Sequence, residues 1–121
     1  MQDFRNLKVW GKAHAFTLAV YKATVDFPTE ERYGLTSQLR RSSASIPANI
    51  AEGCGRDSDP EFARFVRIAM GSAFECDYHL ELAHDLEFLK DGDYTRLVGQ
   101  VAEIRHMLNA LLQRLKATGQ Q

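Results

Sequence analysis

Residues 34–56 read GLTSQLRRSSASIPANIAEGCGR, and this stretch decides the fold. Its large apolar residues, Leu35, Leu39, Ile46 and Ile50, recur at the spacing of one helix face. Most residues between them are Ser, Ala, Asn or Gly, whose small side chains let a neighbouring helix approach closely. We therefore expect the inner helix of a bundle. Pro47 removes one backbone hydrogen bond within it, which predicts a bend.

The flanking sequence predicts three more helices joined by short loops. The first covers residues 7–27, because apolar residues recur at helical spacing until Pro28, which disfavours helical geometry at the residue before it. The second is expected to end at Gly53 or Gly55 with a left-handed cap. The fourth follows residues 91–93 and frays over residues 118–121.

The third helix has the clearest start signal, DSDPE at residues 57–61. Either Asp59 is the N-cap before Pro60, or Ser58 and Glu61 form a capping box. We expect this helix to continue to about residue 90. The sequence thus predicts an all-α fold, an antiparallel up-and-down four-helix bundle bent at Pro47, as one domain over residues 1–121.

The first and third helices each carry more apolar surface than one neighbouring helix covers. The first has a broad apolar arc, formed by Leu7, Val9, Trp10, His14, Phe16, Thr17, Val20, Tyr21, Val25 and Phe27. The third has two apolar seams on neighbouring faces, and Gly71 and Ser72 in the middle of the helix indicate a close helix crossing. Both helices are therefore predicted to have neighbours on two sides.

Composition excludes several classes of protein. The chain has 121 residues, is 45% hydrophobic and 26% charged, and has a net charge of −1, which is typical of a globular domain. A protein that binds nucleic acid strongly is usually more basic. Cys54 and Cys76 lack zinc spacing and predict two reduced, packed thiols. With neither a membrane span nor a signal peptide in the pattern, we expect a cytoplasmic protein.

Two Glu-x-x-His motifs are the strongest enzymatic signal. Glu81 precedes His84, and Glu103 precedes His106, a spacing that carboxylate-bridged di-iron bundles use. However, Glu103 and His106 lie nearly opposite the apolar seam of the fourth helix. No serine has a nucleophile-elbow motif around it, and the serines of the second helix are interpreted as packing residues that bond to helical carbonyls. We therefore assign no catalytic, cofactor or metal residues.

The densest basic set consists of five arginines around the second helix and the loop that follows it. They are Arg40, Arg41, Arg56, Arg64 and Arg67. They could face one phosphate backbone, although Glu52, Asp57, Asp59 and Glu61 are interleaved with them. Ion pairing on a solvated surface is the competing interpretation.

Several segments match one protein family. They are FRNLKVW at 4–10, FPTEERYGLTSQ at 27–38, RSSASIPANIAEG at 41–53, the Gly55-Arg56 pair and MLNAL at 107–111. Over nearly its full length the chain resembles the bacterial four-helix-bundle family encoded in intervening sequences of 23S ribosomal RNA genes. The segment around Pro47 is the most specific part of this resemblance.

The resemblance implies a small bundle that assembles into a ring, a homopentamer. A related branch, the accessory variability protein of diversity-generating retroelements, is a basic pentameric barrel that binds a reverse transcriptase and nucleic acid. The present chain differs from that branch in its nearly neutral charge. The prediction is a non-enzymatic oligomeric scaffold whose partner is RNA or a nucleic-acid-processing protein, contacted through the five arginines. The alternative is a metal-dependent enzyme using the Glu-x-x-His motifs.

Overall fold

The structure is a computed structural model that describes residues 3–119. Its α-helices are α1 (Lys8–Ala23), α2 (Leu35–Cys54), α3 (Asp59–Asp85) and α4 (Asp91–Gly119). Short 3-10 helices at Phe4–Asn6 and Thr29–Glu31 precede α1 and α2. The predicted all-α, four-helix fold is confirmed. Residues 1–2 and 120–121 lie outside the described residues, as does part of the predicted fraying at 118–121.

The four helices pack as the corners of a square. Both α1 and α3 lie against α2 and α4, whereas α1 and α3 occupy opposite corners without contacting each other. Along the contact between α2 and α3, Arg41 pairs with Glu75, and Gly53 lies beside Phe62. Between α2 and α3, residue numbers rise along one helix as they fall along the other, which is the order that antiparallel neighbours produce. The antiparallel up-and-down topology of the whole bundle stays a prediction.

The core follows the apolar pattern of the sequence. The predicted seam of α4 is buried along its full length, at Leu97, Val101, Ile104, Leu108, Leu111 and Leu115. From the other helices the largest fully buried side chains are Phe16, Val20, Leu39, Ile46, Ile50, Val66 and Leu80. Cys54 and Cys76 are free and buried, as predicted. Burial of these side chains is the main favourable contribution to folding.

Pro47 lies inside α2 and is buried. Because proline has no N–H, the carbonyl of Ser43, four residues earlier, loses its helical donor. The hydroxyl of Thr17 in α1 lies 3.0 Å from that carbonyl oxygen and 3.1 Å from its own-helix acceptor, the Ala13 carbonyl. The α1 side chain therefore supplies a donor at the gap that proline creates. The predicted bend at Pro47 stays a prediction.

The predicted end of α1 at Phe27 is wrong, since the helix ends at Ala23. Thr24, which follows, is buried, and its hydroxyl donates back to the Val20 carbonyl at 2.8 Å. Thr24 and Val25 are both β-branched, which lowers their helix propensity. The chain then turns through a 3-10-type bond from the Phe27 N–H to the Thr24 carbonyl. The local backbone thus stops the helix before Pro28 does.

The predicted end of α3 near residue 90 is also wrong, because the helix ends at Asp85. Glu87 has a φ of 65°, in the left-handed region. The Phe88 N–H donates to the Ala83 carbonyl and the Glu87 N–H to the His84 carbonyl, both at 2.9 Å. These two bonds form a Schellman motif, which usually has glycine where Glu87 stands. Because residue 87 is not glycine, the sequence lacks the usual signal for this helix end.

The prediction for the start of α3 agrees with the structure in one of its two alternatives, whereas the prediction for the end of α2 does not. Of the two alternatives for the start of α3, Ser58 is the N-cap, and its hydroxyl accepts the Glu61 N–H at 3.3 Å. The expected left-handed cap at the end of α2 is wrong, because Gly55 has a φ of −83°. Gly53 instead serves close packing, since a Cβ there would lie 2.7 Å from Cδ1 of Phe62.

Candidate functional site

The outer faces of α1 and α3 expose large apolar side chains. On α1 and the turn after it, Leu18, Tyr21 and Val25 are 51%, 45% and 70% exposed. On α3 the corresponding side chains are Ile68, Phe74 and Tyr78, at 42%, 55% and 60%. Within the predicted broad arc of α1, Tyr21 and Val25 are exposed and Phe16 and Val20 are buried, whereas Leu18 lies outside that arc. We call these two surfaces the α1 outer face and the α3 outer face.

The two outer faces have opposite charges around them. The α1 helix carries Lys8, Lys12 and Lys22 and no acidic residue. From Ile68 to its end, α3 carries four acidic residues and neither lysine nor arginine, and the four are Glu75, Asp77, Glu81 and Asp85. Glu75 and Asp77 pair with Arg41 and Arg105 of the same chain, whereas Glu81 is exposed beside Tyr78.

A cleft of about 700 Å³ opens between the end of α1, the connector and the start of α2. We call it the arginine cleft. Its lining is Tyr21, Thr24, Val25, Phe27, Pro28, Thr29, Arg32, Tyr33, Thr36, Ser37, Arg40 and Arg41. Three of these residues are arginines and none is Asp or Glu. The hydroxyl of Thr36 is buried in the cleft wall without a hydrogen-bond partner among the described residues.

Arg40 is held in place within this cleft by neutral groups. Its Nε donates to the Thr24 hydroxyl at 2.7 Å, its Nη2 donates to the Tyr21 carbonyl at 3.3 Å, and its guanidinium lies 4.8 Å from the centre of the Tyr21 ring. A guanidinium has five N–H donors. These contacts therefore leave several donors and an unneutralised charge in a fixed position. Arg41 differs, because it pairs with Glu75 at 3.0 Å.

The other predicted arginines lie around the loop between α2 and α3. Arg56 pairs with Glu52 at 3.2 Å, and Arg64 pairs with Glu61 at 3.3 Å. Both guanidinium groups also lie over the ring of Phe65, at 4.7 and 4.5 Å from its centre. Arg67 is exposed on α3. At this end of the bundle, the competing interpretation of local ion pairing fits Arg56 and Arg64.

The structure does not bring all five arginines together. Arg41 and Arg56 are separated by about 20 Å along α2, given the rise of an α-helix. Arg40 and Arg41 instead share their cleft with Arg32 and Tyr33, which the sequence analysis missed. The sequence places Arg32 and Tyr33 in a polar connector, and no periodic signal links them to Arg40. Only the turn between α1 and α2 brings them to one site.

A second polar cluster lies inside the bundle, between α2 and α3. The Cys76 thiol donates to the Ser42 hydroxyl at 3.2 Å, and the same hydroxyl lies 3.4 Å from Nδ1 of His79. Ser45 and Ser72 share a hydrogen bond of 2.8 Å. Ser42 and Ser43 donate to the Leu39 and Arg40 carbonyls, which confirms the prediction for these two serines, whereas the Ser45 hydroxyl bonds to Ser72 instead of a helical carbonyl.

This cluster is unsuited to nucleophilic chemistry. Ser42 is completely buried, so that a substrate does not reach its hydroxyl. Burial, opposed by the hydrogen bond to Ser42 and supported by the charges of Glu75 and Asp77, raises the pKa of the Cys76 thiol to about 12. Burial also lowers the pKa of His79, with Glu75 opposing the shift and Arg41 adding to it. The cluster therefore contains neutral groups at pH 7.

The Glu-x-x-His motifs do not converge. Glu103 and His106 are exposed on α4, as the sequence predicts, and Glu103 pairs with Lys12 at 3.2 Å. His84 contacts Asp91 at 2.7 Å and stacks on Tyr94. Across residues 3–119, no three His, Cys, Asp or Glu side chains are grouped so as to hold a metal ion. Within the same range, no helix has the length and apolar character needed to cross a membrane.

The fold and these surfaces define the protein as a small helical bundle with exposed helix faces. The family model of the 23S rRNA-intervening sequence proteins matches residues 5–110. The chain therefore belongs to the family of 23S rRNA-intervening sequence proteins. This confirms the resemblance seen in the sequence.

A solved structure agrees with this assignment. The chain is similar to a protein of unknown function from the S23 ribosomal protein family of Bacteroides thetaiotaomicron, with 28% identity and a TM-score of 0.78. The similarity covers 86% of this chain and 97% of the other. Among curated proteins, none matches this chain.

Proposed function

We propose that this protein is a non-enzymatic scaffold that assembles into a homo-oligomeric ring and binds a partner through its surface arginines. The observation that carries the proposal is the pair of apolar outer faces on α1 and α3. Monomeric proteins rarely expose large contiguous apolar patches, and such patches mark interaction sites. Five copies is the number that the family resemblance implies. We also propose a cytoplasmic location, which the two free thiols of Cys54 and Cys76 support, because thiols stay reduced there.

The opposite positions of the two faces favour a head-to-tail contact. The α1 outer face of one copy would meet the α3 outer face of the next, because a contact between two different patches generates rings when it closes. The charges support this pairing. Lys22 lies one turn from Leu18, and Glu81 lies one turn from Tyr78, so opposite charges would flank the apolar contact.

The first experiment is the solution mass of the full chain by light scattering at micromolar concentration. We expect five times the 13.7 kDa protomer mass. Leu18→Asp and Tyr78→Asp each place a charge in one outer face and should give monomers. Ala110→Asp, on the exposed side of α4, is the matched control and should retain the ring.

Mixing the two monomeric variants tests the head-to-tail arrangement. Leu18→Asp retains an intact α3 outer face, and Tyr78→Asp retains an intact α1 outer face. The mixture should therefore form a dimer through the one contact that remains intact. A wild-type chain that stays monomeric would refute the ring, and a mixture that stays monomeric would refute the head-to-tail contact. Stoichiometric iron, manganese or zinc in the purified protein would favour the metal-enzyme alternative.

A further inference from the structure

We propose that the arginine cleft binds the phosphate and base of a nucleotide, with Arg32 and Arg40 on the phosphate and Tyr33 beside the base. The proposal deepens the partner-binding part of the proposed function, since Arg40 and Arg41 belong to both. Every residue assigned to the ligand comes from one protomer, so the site does not require the ring, although Tyr21 and Val25 belong both to the cleft lining and to the α1 outer face.

The positive charge of the cleft indicates that its ligand carries a negative charge. Its lining has three arginines and no carboxylate. Arg41 is neutralised by Glu75, but neither Arg32 nor Arg40 has a carboxylate partner within 4.0 Å among the described residues. Neither glutamate of the connector lines the cleft, and Glu31 accepts the Leu35 N–H at 2.9 Å. The cleft is therefore set up for an anion.

The geometry of Arg40 favours phosphate in particular. The Thr24 hydroxyl, the Tyr21 carbonyl and the Tyr21 ring fix its guanidinium before any ligand arrives. A fixed, planar guanidinium with unused donors matches the oxygens of a phosphate group, and prior ordering reduces the entropy lost on binding. Arg56 and Arg64 differ, because a glutamate of the same chain already occupies each guanidinium.

The size of the cleft and its aromatic side chains indicate a ligand that is larger than a bare phosphate. At about 700 Å³ the cleft is large enough for a small organic ligand. Tyr33 is 89% exposed at its edge, and its ring offers a surface on which a base can stack. The ligand is therefore either a free nucleotide or one nucleotide of a single-stranded RNA.

The test measures binding of three probes at low salt: inorganic phosphate, adenosine monophosphate and a fluorescein-labelled single-stranded RNA of eight nucleotides. Calorimetry serves for the first two probes and fluorescence anisotropy for the third. We expect the monophosphate to bind more tightly than phosphate. Binding of the RNA identifies a polymer as the source of the nucleotide, and binding of the monophosphate alone identifies a free nucleotide.

Charge-matched variants locate the site. Arg32→Gln and Arg40→Gln should each weaken binding at least about tenfold, since a charge-assisted hydrogen bond is lost. Tyr33→Ala should weaken it about fivefold or more through lost stacking. Arg114→Gln removes the same charge from the exposed side of α4, outside the five predicted contact arginines, and should change affinity less than about twofold. Arg32 has no side-chain hydrogen bond in the described structure, so Arg32→Gln tests the site even if Arg40→Gln impairs folding.

Two results would overturn the proposal. The first is no binding of any probe, and the second is an equal loss in Arg32→Gln and Arg114→Gln, which indicates diffuse attraction rather than a site. If inorganic phosphate binds as tightly as adenosine monophosphate, the base adds no affinity and the proposed contact between the base and Tyr33 is wrong. Light scattering on the same samples separates these outcomes from failure of the ring.

Discussion

Two regions of the molecule differ in whether their side chains have partners within the chain. They are the contact between α2 and α3 and the outer faces of α1 and α3. Within the contact, Ser42, Ser45, Ser72 and Cys76 find partners inside the chain. On the outer faces, side chains such as Phe74 remain largely exposed. The difference teaches that the interior is complete within one protomer, whereas the outer faces offer surface for a further contact. Changes inside should therefore alter stability, and changes outside should alter assembly.

The largest expected effect is at Gly53, in the contact between α2 and α3. A Cβ at this position would lie 2.7 Å from Cδ1 of Phe62 and 3.0 Å from Cβ of Phe65. Gly53→Ala should lower the free energy of unfolding by about 1–3 kcal/mol, because overpacking forces the neighbours to shift. Urea unfolding in the Leu18→Asp background, which is expected to be monomeric, measures this.

Gly71 on α3 is the matched control for Gly53. Within 4 Å of a Cβ built there, the described residues place no atom. Gly71→Ala should raise the free energy of unfolding by about 0.5–1 kcal/mol, because glycine is unfavourable inside a helix. Equal effects of the two substitutions would contradict the distinction between interior and outer face. Two residues were predicted to mark a close helix crossing. Of these, Ser72 bonds to Ser45 of α2, whereas Gly71 lies on the exposed side of α3.

An intermediate effect is expected where α1 meets α2, at Thr17. Thr17→Val removes the hydroxyl that faces the Ser43 carbonyl and should cost about 1–2 kcal/mol. Thr17→Ser, which retains the hydroxyl, is the control. Pro47→Ala restores the helical donor to Ser43, so Thr17→Val should cost less in that background. A double-mutant cycle by urea unfolding tests this, and additive costs would show that the hydroxyl does not serve the proline gap.

The smallest expected effect is the pH dependence contributed by His79. Burial lowers its pKa in the folded state, so the unfolded chain binds this proton at a higher pH than the folded chain does. Its contribution therefore reduces stability as pH falls below the ordinary histidine pKa of about 6.5. Thermal melts of the parent and His79→Gln between about pH 5 and pH 8 compare the two slopes. The parent should lose more stability at low pH, and parallel curves would contradict the assignment.

The sequence predicted the interior more accurately than the helix ends. Apolar spacing identified the buried seam of α4 and the packing role of Ser42 and Ser43, because burial on a helix face leaves a periodic pattern. The ends of α1 and α3 were misplaced. Both depend on local backbone bonds, at Thr24 and at Glu87, that use residues other than the expected proline or glycine.

The site was predicted only in part. Arg40 and Arg41 were identified from charge density, but grouping them with Arg56 and Arg64 ignored about 20 Å of helix between the two pairs. Which arginine is free and which is paired depends on side chains that are distant in sequence. Glu75 neutralises Arg41 from α3, and Thr24 holds Arg40 from the end of α1.

The sequence by itself determined the helices, the buried faces and the family, because periodicity and local motifs are properties of neighbouring residues. The tertiary structure alone decided how the remaining surface is divided. It placed the α1 and α3 outer faces at opposite corners, and it brought Arg32 and Tyr33 beside Arg40. Such groupings arise when the chain reverses direction between helices, and no local pattern encodes which distant side chains then meet.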